Sequence, residues 1–305
     1  MPLNLVTTTS KNYAGVQDHI LSLVKNFLPP GSYSQSVEEY RQGAFNFSLF
    51  INQPADAVMS HGAADKSYFF RRHENGGRIS NSLKHVLVPG EWLRSRIINS
   101  KKLTLSADQV HAVGWPRLDD LLARQAAMAP DEVAGRRKRI LWAPTHDYAR
   151  RGEDLVSLSS YPEFEPYLER LSERYDVQTS LHPRNRPDKV PTSDKLLWAD
   201  YVVSDFGTMV YEAWALGKPV IFPDWLIKER IAAYLPKGSA ESHVFREGIG
   251  LHPASFEELC EMVEGGAGID AVVSEFLDAY LSPEYRGRSS ERIAQLLLRF
   301  SAELR

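Results

Sequence analysis

Apolar residues along the chain fall in short runs that alternate with longer segments of helical spacing. In the first half, Val16, Ile20, Leu21, Val24 and Leu28 recur at three- and four-residue intervals, which predicts a helix over 13–28 that stops at Pro29-Pro30-Gly31. Strands are predicted over 44–51 and at Ala57-Val58-Met59, His85-Val86-Leu87-Val88 and Val110-His111-Ala112-Val113. The last three each run into a glycine- or proline-containing turn: Ser60-His61-Gly62, Pro89-Gly90 and Gly114-Trp115-Pro116-Arg117. A helix follows over 91–98, and another after Pro116, where Asp119 or Asp120 suits the first turn. The second half repeats the pattern. Ile140-Leu141-Trp142-Ala143 leads to Pro144-Thr145-His146-Asp147, a helix is predicted over 161–175, and a strand over 177–181 delivers His182-Pro183-Arg184. Tyr201-Val202-Val203 and Val220-Ile221-Phe222 bracket a helix over 208–216. An extended segment over 246–251 and helices over 256–263, 269–281 and 289–304 complete the chain. Strand, loop and helix in alternation predict an α/β fold with parallel sheets and right-handed crossovers. The basic run Arg136 to Arg139 marks a boundary between an N-terminal domain, 1–130, and a C-terminal domain, 131–305.

Composition narrows the class. A chain of 305 residues, 43% hydrophobic and 25% charged, fits a soluble protein of two ordinary domains. The single cysteine, Cys260, excludes an internal disulfide and falls on the expected buried side of its helix. No apolar run has the length of a membrane span and the N-terminus lacks a signal-peptide pattern, so a cytoplasmic location is expected. A net charge of −3 argues against a dedicated nucleic-acid binder. Positive charge is nonetheless concentrated in Arg71, Arg72, Arg78, Lys84, Arg94, Arg96, Lys101 and Lys102. A solvated face is the default reading of that cluster, and an anionic acceptor or membrane surface is the alternative. His19, His73, His85 and His111 have no partners at metal-ligand spacing, and no Asp-x-Asp closes a strand, so no metal is expected.

Two loops carry candidate chemistry. Ser204-Asp205-Phe206-Gly207-Thr208 lies between a strand and a helix, where helix-terminal N–H groups favour a phosphate. Gly207 admits close approach, the hydroxyls of Ser204 and Thr208 can donate, and Glu212 can accept from a ribose hydroxyl. An ordinary helix cap is the competing reading. His61, just past a buried strand and ahead of Gly62, suits proton transfer near neutral pH, and Lys66 can add positive charge to the same pocket. A histidine that only bonds a neighbouring loop is the competing reading there.

Six segments in order, SHGAADK, VGWPRLDDLL, ILWAPTHD, LHP, ADYVVSDFGTMVYEAWALGKPVIF and YRGRSSERI, together resemble the CDP-glycerol glycerophosphotransferase family, the polymerases and primases of teichoic-acid and capsule backbones. The resemblance runs from about Ala57 to Ala294. It implies a GT-B architecture, with two Rossmann-like domains facing across a cleft and the nucleotide held by the C-terminal one. It implies transfer of glycerol phosphate from a CDP-linked donor to an acceptor hydroxyl with release of CMP; with no metal motif in the chain, neither metal nor cofactor is expected. The family's HGT histidine falls on His61, its HP histidine on His182, and its Asp-Tyr-Ser-Ser nucleotide loop on Asp205-Phe206-Gly207-Thr208. Arg184, Ser204 and Glu212 join that nucleotide and phosphate set, and Lys66, Arg117 and Thr145 are candidate acceptor or phosphate contacts. The implied acceptor is a polyol phosphate, glycan or glycolipid at the inner face of the membrane. This chain departs from the family at Ala63-Ala64, which replace Thr-Pro, at Phe206 and Gly207, and at Glu212, where aspartate is usual. Ala63 removes a hydroxyl that can touch donor or acceptor. Glu212-Ala213 and Gly217-Lys218-Pro219-Val220 also resemble the donor-binding segment of GT-B glycosyltransferases, which makes a nucleotide sugar the alternative donor. A non-catalytic nucleotide-binding protein is the third reading.

Overall fold

The computed structural model describes residues 3–10, 14–65, 67–72, 77–129, 135–145, 149–151, 154–181 and 191–304. Its strands are β1 (Leu3–Thr7), β2 (Tyr33–Val37), β3 (Phe45–Ser48), β4 (Ala57–Met59), β5 (His85–Val88), β6 (Val110–Ala112), β7 (Arg139–Trp142), β8 (Ala149–Arg151), β9 (Asp154–Val156), β10 (Asp176–Thr179), β11 (Tyr201–Val203) and β12 (Val220–Ile221). Its α-helices are α1 (Ala14–Lys25), α2 (Glu91–Ile98), α3 (Arg117–Ala127), α4 (Glu165–Arg174), α5 (Thr192–Trp198), α6 (Thr208–Ala215), α7 (Asp224–Tyr234), α8 (Ala240–Glu247), α9 (Phe256–Glu264), α10 (Ala271–Tyr280) and α11 (Ser289–Ala302). They form two compact units, one of Met1–Ala123 with Asp278–Arg305 and one of Arg124–Leu277.

The first unit is built on a six-stranded sheet in the order β2-β1-β3-β4-β5-β6, parallel throughout. Its inner strands β1, β3, β4 and β5 are covered on both faces, as a parallel sheet requires. Val86 and Val88 of β5 point into a cluster with Leu93 and Ile97 of α2, while His85 on the opposite face stacks on Phe300 of α11 at 3.7 Å. Strand β1 is not visible in the hydrophobic pattern because a polar residue sits in its core. Asn4 is fully buried and donates to Ser36 Oγ at 2.9 Å and Asn46 Oδ1 at 2.8 Å, tying β1 to both neighbouring strands.

The last helix was expected in the C-terminal domain, and the structure places it in the first unit. Its apolar face, Ile293, Leu296, Leu297 and Phe300, is buried there, and α11 packs on β1, β3 and α1. The Asp119 carboxylate accepts from the backbone N–H groups of Ser289 at 3.0 Å and Ser290 at 2.7 Å. Asp119 therefore caps α11 in addition to sitting in the first turn of its own helix.

The second unit has a four-stranded parallel sheet in the order β10-β7-β11-β12, and β8 pairs with β9 as a separate antiparallel ribbon. The extended segment expected over 246–251 begins inside a helix, since Arg246 and Glu247 are the last two residues of α8. Ser239 caps α8 by accepting from Ser242 N, and Gly248 ends it at φ 64°, so only Leu251 pairs with the sheet, bridging to Ile221. Cys260 is buried on the inner side of α9, as its spacing predicts. Among the described residues no helix is long and apolar enough to cross a membrane.

Candidate functional site

In the second unit the chain leaves β7 for β10 on one side and later returns to β11 on the other, so β7 and β11 flank the point where strand order reverses. Open α/β sheets bind ligands outside the carboxyl ends of such strands. The loops after these two strands are bonded to each other. Ser204 Oγ donates to the Ala143 carbonyl at 2.8 Å, and Thr145 N–H donates to Asp205 Oδ2 at 2.8 Å. Ser159 Oγ lies 3.1 Å from the same carboxylate oxygen, and Trp142 Nε1 donates to Ser160 Oγ at 3.1 Å. Asp205 is fully buried, and burial pushes its carboxyl pKa up against the opposing pull of Ser160, Thr145 and Ser159.

This geometry divides the roles that the sequence assigned to one motif. Ser204 and Asp205 face inward and hold the loop, so the Ser204 proton goes to a carbonyl of the neighbouring loop and not to a ligand. Gly207 has φ 115° and ψ −167°, a conformation that side chains resist, and it is the residue that opens α6. Thr208 is partly exposed at the positive end of that helix, while Glu212, one turn on, is fully buried. Phe206 is buried above a narrow cavity of about 10 Å³ shared with Gly207, Tyr211, Phe222 and Phe245. A wider depression of about 410 Å³, lined by Arg124, Arg139, Asp194 and Trp198 among others, lies at the amino-terminal edge of this sheet, on the side away from these loops. Thr145 is partly exposed beside Asp205.

In the first unit His61 follows β4, as expected, and is partly exposed. Phe50 stacks on its ring at 4.7 Å and Tyr68 meets it edge-on at 5.7 Å. Gly62 N–H turns back to Ser60 Oγ at 3.3 Å, the Ala63 carbonyl accepts from Tyr280 Oη at 2.6 Å, and the buried Asp65 pairs with Arg96. Ala63 is 1% exposed. A hydroxyl at position 63 would face the interior, so the departure from the family there does not strip a side-chain contact from a ligand. Arg117 opens α3, partly exposed. Part of the basic cluster is paired locally: Arg96 with Asp65 and Ser67, Lys84 with Asp56, Arg94 with Glu91 and two backbone carbonyls.

Lys66, His182 and Arg184 lie outside the described residues. A third histidine, which the sequence reading did not single out, stands near the carboxyl end of β12. His252 Nδ1 lies 3.0 Å from Asp224 Oδ1 and Nε2 lies 3.1 Å from the Ile249 carbonyl. With oxygen acceptors at both nitrogens, this ring braces the loop and has no nitrogen directed at a ligand. Among the described residues no group of three His, Cys, Asp or Glu side chains is arranged to hold a metal ion.

No family model matches the chain, and no curated protein matches it. Among solved structures the chain is similar to the wall teichoic acid polymerase TagF, with a TM-score of 0.61 and 15% identity, covering 99% of this chain and 89% of that one. A variant of that polymerase soaked with CDPG gives a TM-score of 0.60 at 13% identity with the same coverage. The UDP-GlcNAc 2-epimerase of Methanocaldococcus jannaschii, solved with UDP-GlcNAc and UDP, gives 0.50 at 13%, covering 98% of this chain and 100% of that one. The fold is GT-B. At this level of identity the likeness is one of fold. Within the GT-B fold both candidate loops follow the carboxyl end of a parallel strand, β4 for His61 and β11 for residues 204–208.

Proposed function

We propose that this protein is a nucleotide-donor transferase that moves a glycerol phosphate, or a similar polyol- or sugar-phosphate group, from a CDP-linked donor to an acceptor hydroxyl in cell-surface polymer synthesis. The observation that carries the reading is the loop Gly207-Thr208. It stands at the positive end of α6, at the strand-order reversal, on a platform locked by Ser204 and Asp205. The six sequence segments and the fold of the teichoic acid polymerase support the CDP-linked donor.

The acceptor oxygen attacks the phosphorus of the transferred group, and the bond from that phosphorus to the CMP oxygen breaks. His61 takes the acceptor proton. His182 protonates the departing CMP phosphate, and Arg184 adds charge beside it. Helix-terminal N–H groups and Thr208 neutralise developing charge, so turnover is expected to survive EDTA.

A second reading, transfer from a nucleotide sugar, draws on the fold shared with a UDP-GlcNAc enzyme and on the Glu212 to Val220 segment. A thermal-shift panel separates the two. A nucleotide at a hundred times its Kd adds about 2.7 kcal/mol of stability, so CDP and CMP should raise the Tm by several degrees and UDP, GDP and ADP by less. A larger shift with UDP or GDP than with CDP would transfer the case to the sugar donor.

A further inference from the structure

The turn that carries His61 is tied to a residue 217 positions away in sequence. Tyr280, the last residue of α10, is fully buried, and its hydroxyl donates to the Ala63 carbonyl at 2.6 Å. Its own backbone is held tightly. A Cβ on Gly90 would stand 2.3 Å from the Tyr280 carbonyl oxygen, Ser282 N–H donates to the Pro89 carbonyl at 3.3 Å, and the Trp92 ring lies 6.0 Å from the Tyr280 ring. Phe50 and Tyr68 orient the plane of the His61 ring, but they do not fix the peptide that bears it. That peptide passes through Gly62, which has no side chain to pack. Where the ring sits therefore depends on what holds the two ends of the turn. At one end are β4 and the Ser60 hydroxyl; at the other are Tyr280 on Ala63 and Arg96 on Asp65.

We propose that Tyr280 is a positioning residue for His61, acting through the Ala63 carbonyl; as a role in catalysis this rests on His61 being the base. A general base must reach its proton within about 2.6–3.2 Å, and a misplacement of about 1 Å costs on the order of a hundredfold. A short hydrogen bond between buried groups is suited to preventing that drift. The C-terminal segment thus contributes to the first unit's candidate site as well as to its core.

Tyr280→Phe removes the hydroxyl and keeps the ring against Trp92. In this variant the rate or pH midpoint of His61 carbethoxylation by diethyl pyrocarbonate, read at residue 61 by mass spectrometry, should change by about 3–10-fold in rate at fixed pH, the range expected for one net hydrogen bond. The exposed His19 should react as in the wild type. Turnover of CDP-glycerol should fall by a similar factor while calorimetric CDP affinity stays unchanged. Trp92→Phe serves as the structural control: it trims the packing on the Tyr280 ring but keeps the hydroxyl on Ala63, so it should lower the Tm and shift the His61 profile less than Tyr280→Phe does. A folded Tyr280→Phe protein with a lower Tm but a wild-type His61 profile would overturn the proposal. If the wild type turns over no CDP-linked donor, the proposed function falls, and the His61 profile still decides whether Tyr280 positions it.

Discussion

Thr208 and His61 should separate cleanly in measurement because the proposed function gives them different parts of the reaction. Thr208 offers one hydroxyl at the helix end to which the proposed function assigns the donor phosphate, and a hydrogen bond to a charged group contributes about 1.5–3 kcal/mol. Thr208→Ala should weaken CDP binding by about 10–100-fold in calorimetry. His61→Ala should leave that affinity near wild type and lower CMP release by about 10²–10⁴-fold, the range for a positioned acid–base group. Wild-type turnover in a folded His61→Ala protein would reduce His61 to a loop histidine. The pair His85 and His111 gives a residue-scale prediction of another kind. Their Nδ1 and Nε2 atoms stand 3.1 Å apart under Phe300, a bond that needs one nitrogen without its proton. Burial pushes His111 down to about 4 and lowers His85 as well; Arg299, Arg292, Arg94 and Lys84 act in the same direction, and Glu303 and Asp108 oppose them. Unfolded histidines take up their proton near pH 6.5, so the unfolded chain binds more protons as pH falls from about 6.5 to about 4, and stability falls with it. His111→Phe should flatten that part of the Tm–pH curve; an unaltered slope would remove His111 from the account.

At the scale of elements, two strand-end glycines show how sequence and structure part company. Gly90 and Gly114 follow β5 and β6, and in the sequence they read as turn residues between a strand and a helix. In the structure the space is taken by the chain itself. A Cβ at Gly90 would meet the Tyr280 carbonyl at 2.3 Å, and one at Gly114 would meet Ser289 Oγ at 2.2 Å. Gly90 has φ −169°, which any residue adopts, so Gly90→Ala tests packing alone. It should cost about 1–3 kcal/mol, visible as a lower urea midpoint; a wild-type midpoint would mean that the Tyr280 segment yields. Among the elements that were legible, β4 to β6, β11 and α6 are those whose apolar runs are bounded by turn residues. Strand β1 was hidden by Asn4, whose burial depends on partners 32 and 42 residues away. Helix α8 was missed although Ser239 and Gly248 mark its ends, because the extended reading of 246–251 absorbed its last two residues. In the site, His61 and Gly207 were legible as strand-end residues. The inward roles of Ser204 and Asp205 were not, since they depend on Ala143, Thr145 and Ser159, which only folding brings near.

For the whole molecule, the chain order of the two units matters more than the count of their elements. The second unit is one continuous stretch, Arg124–Leu277, set within the sequence of the first. A chain ending at residue 277 should therefore keep a folded second unit and lose the first. Burying Ile293, Leu296, Leu297 and Phe300 contributes about 1.5–3 kcal/mol each, together comparable to the whole stability of a domain. Limited proteolysis of the truncated protein should leave a resistant fragment covering 124–277 and digest 1–123; an equally resistant N-terminal fragment would show that α11 is dispensable. The same arrangement has a consequence during translation. The six-stranded sheet leaves the ribosome before α11 does, so Phe45 and His85 lack their Phe300 partner until that helix has been made. At ordinary synthesis rates that wait is about 10–40 s, time enough for the later-made unit to close while the earlier one stays exposed to chaperones. Nascent chains stalled near residue 277 should thus bind a hydrophobic-segment chaperone through residues 1–123, and emergence of α11, not emergence of the sheet, should be the event that lets the first unit fold.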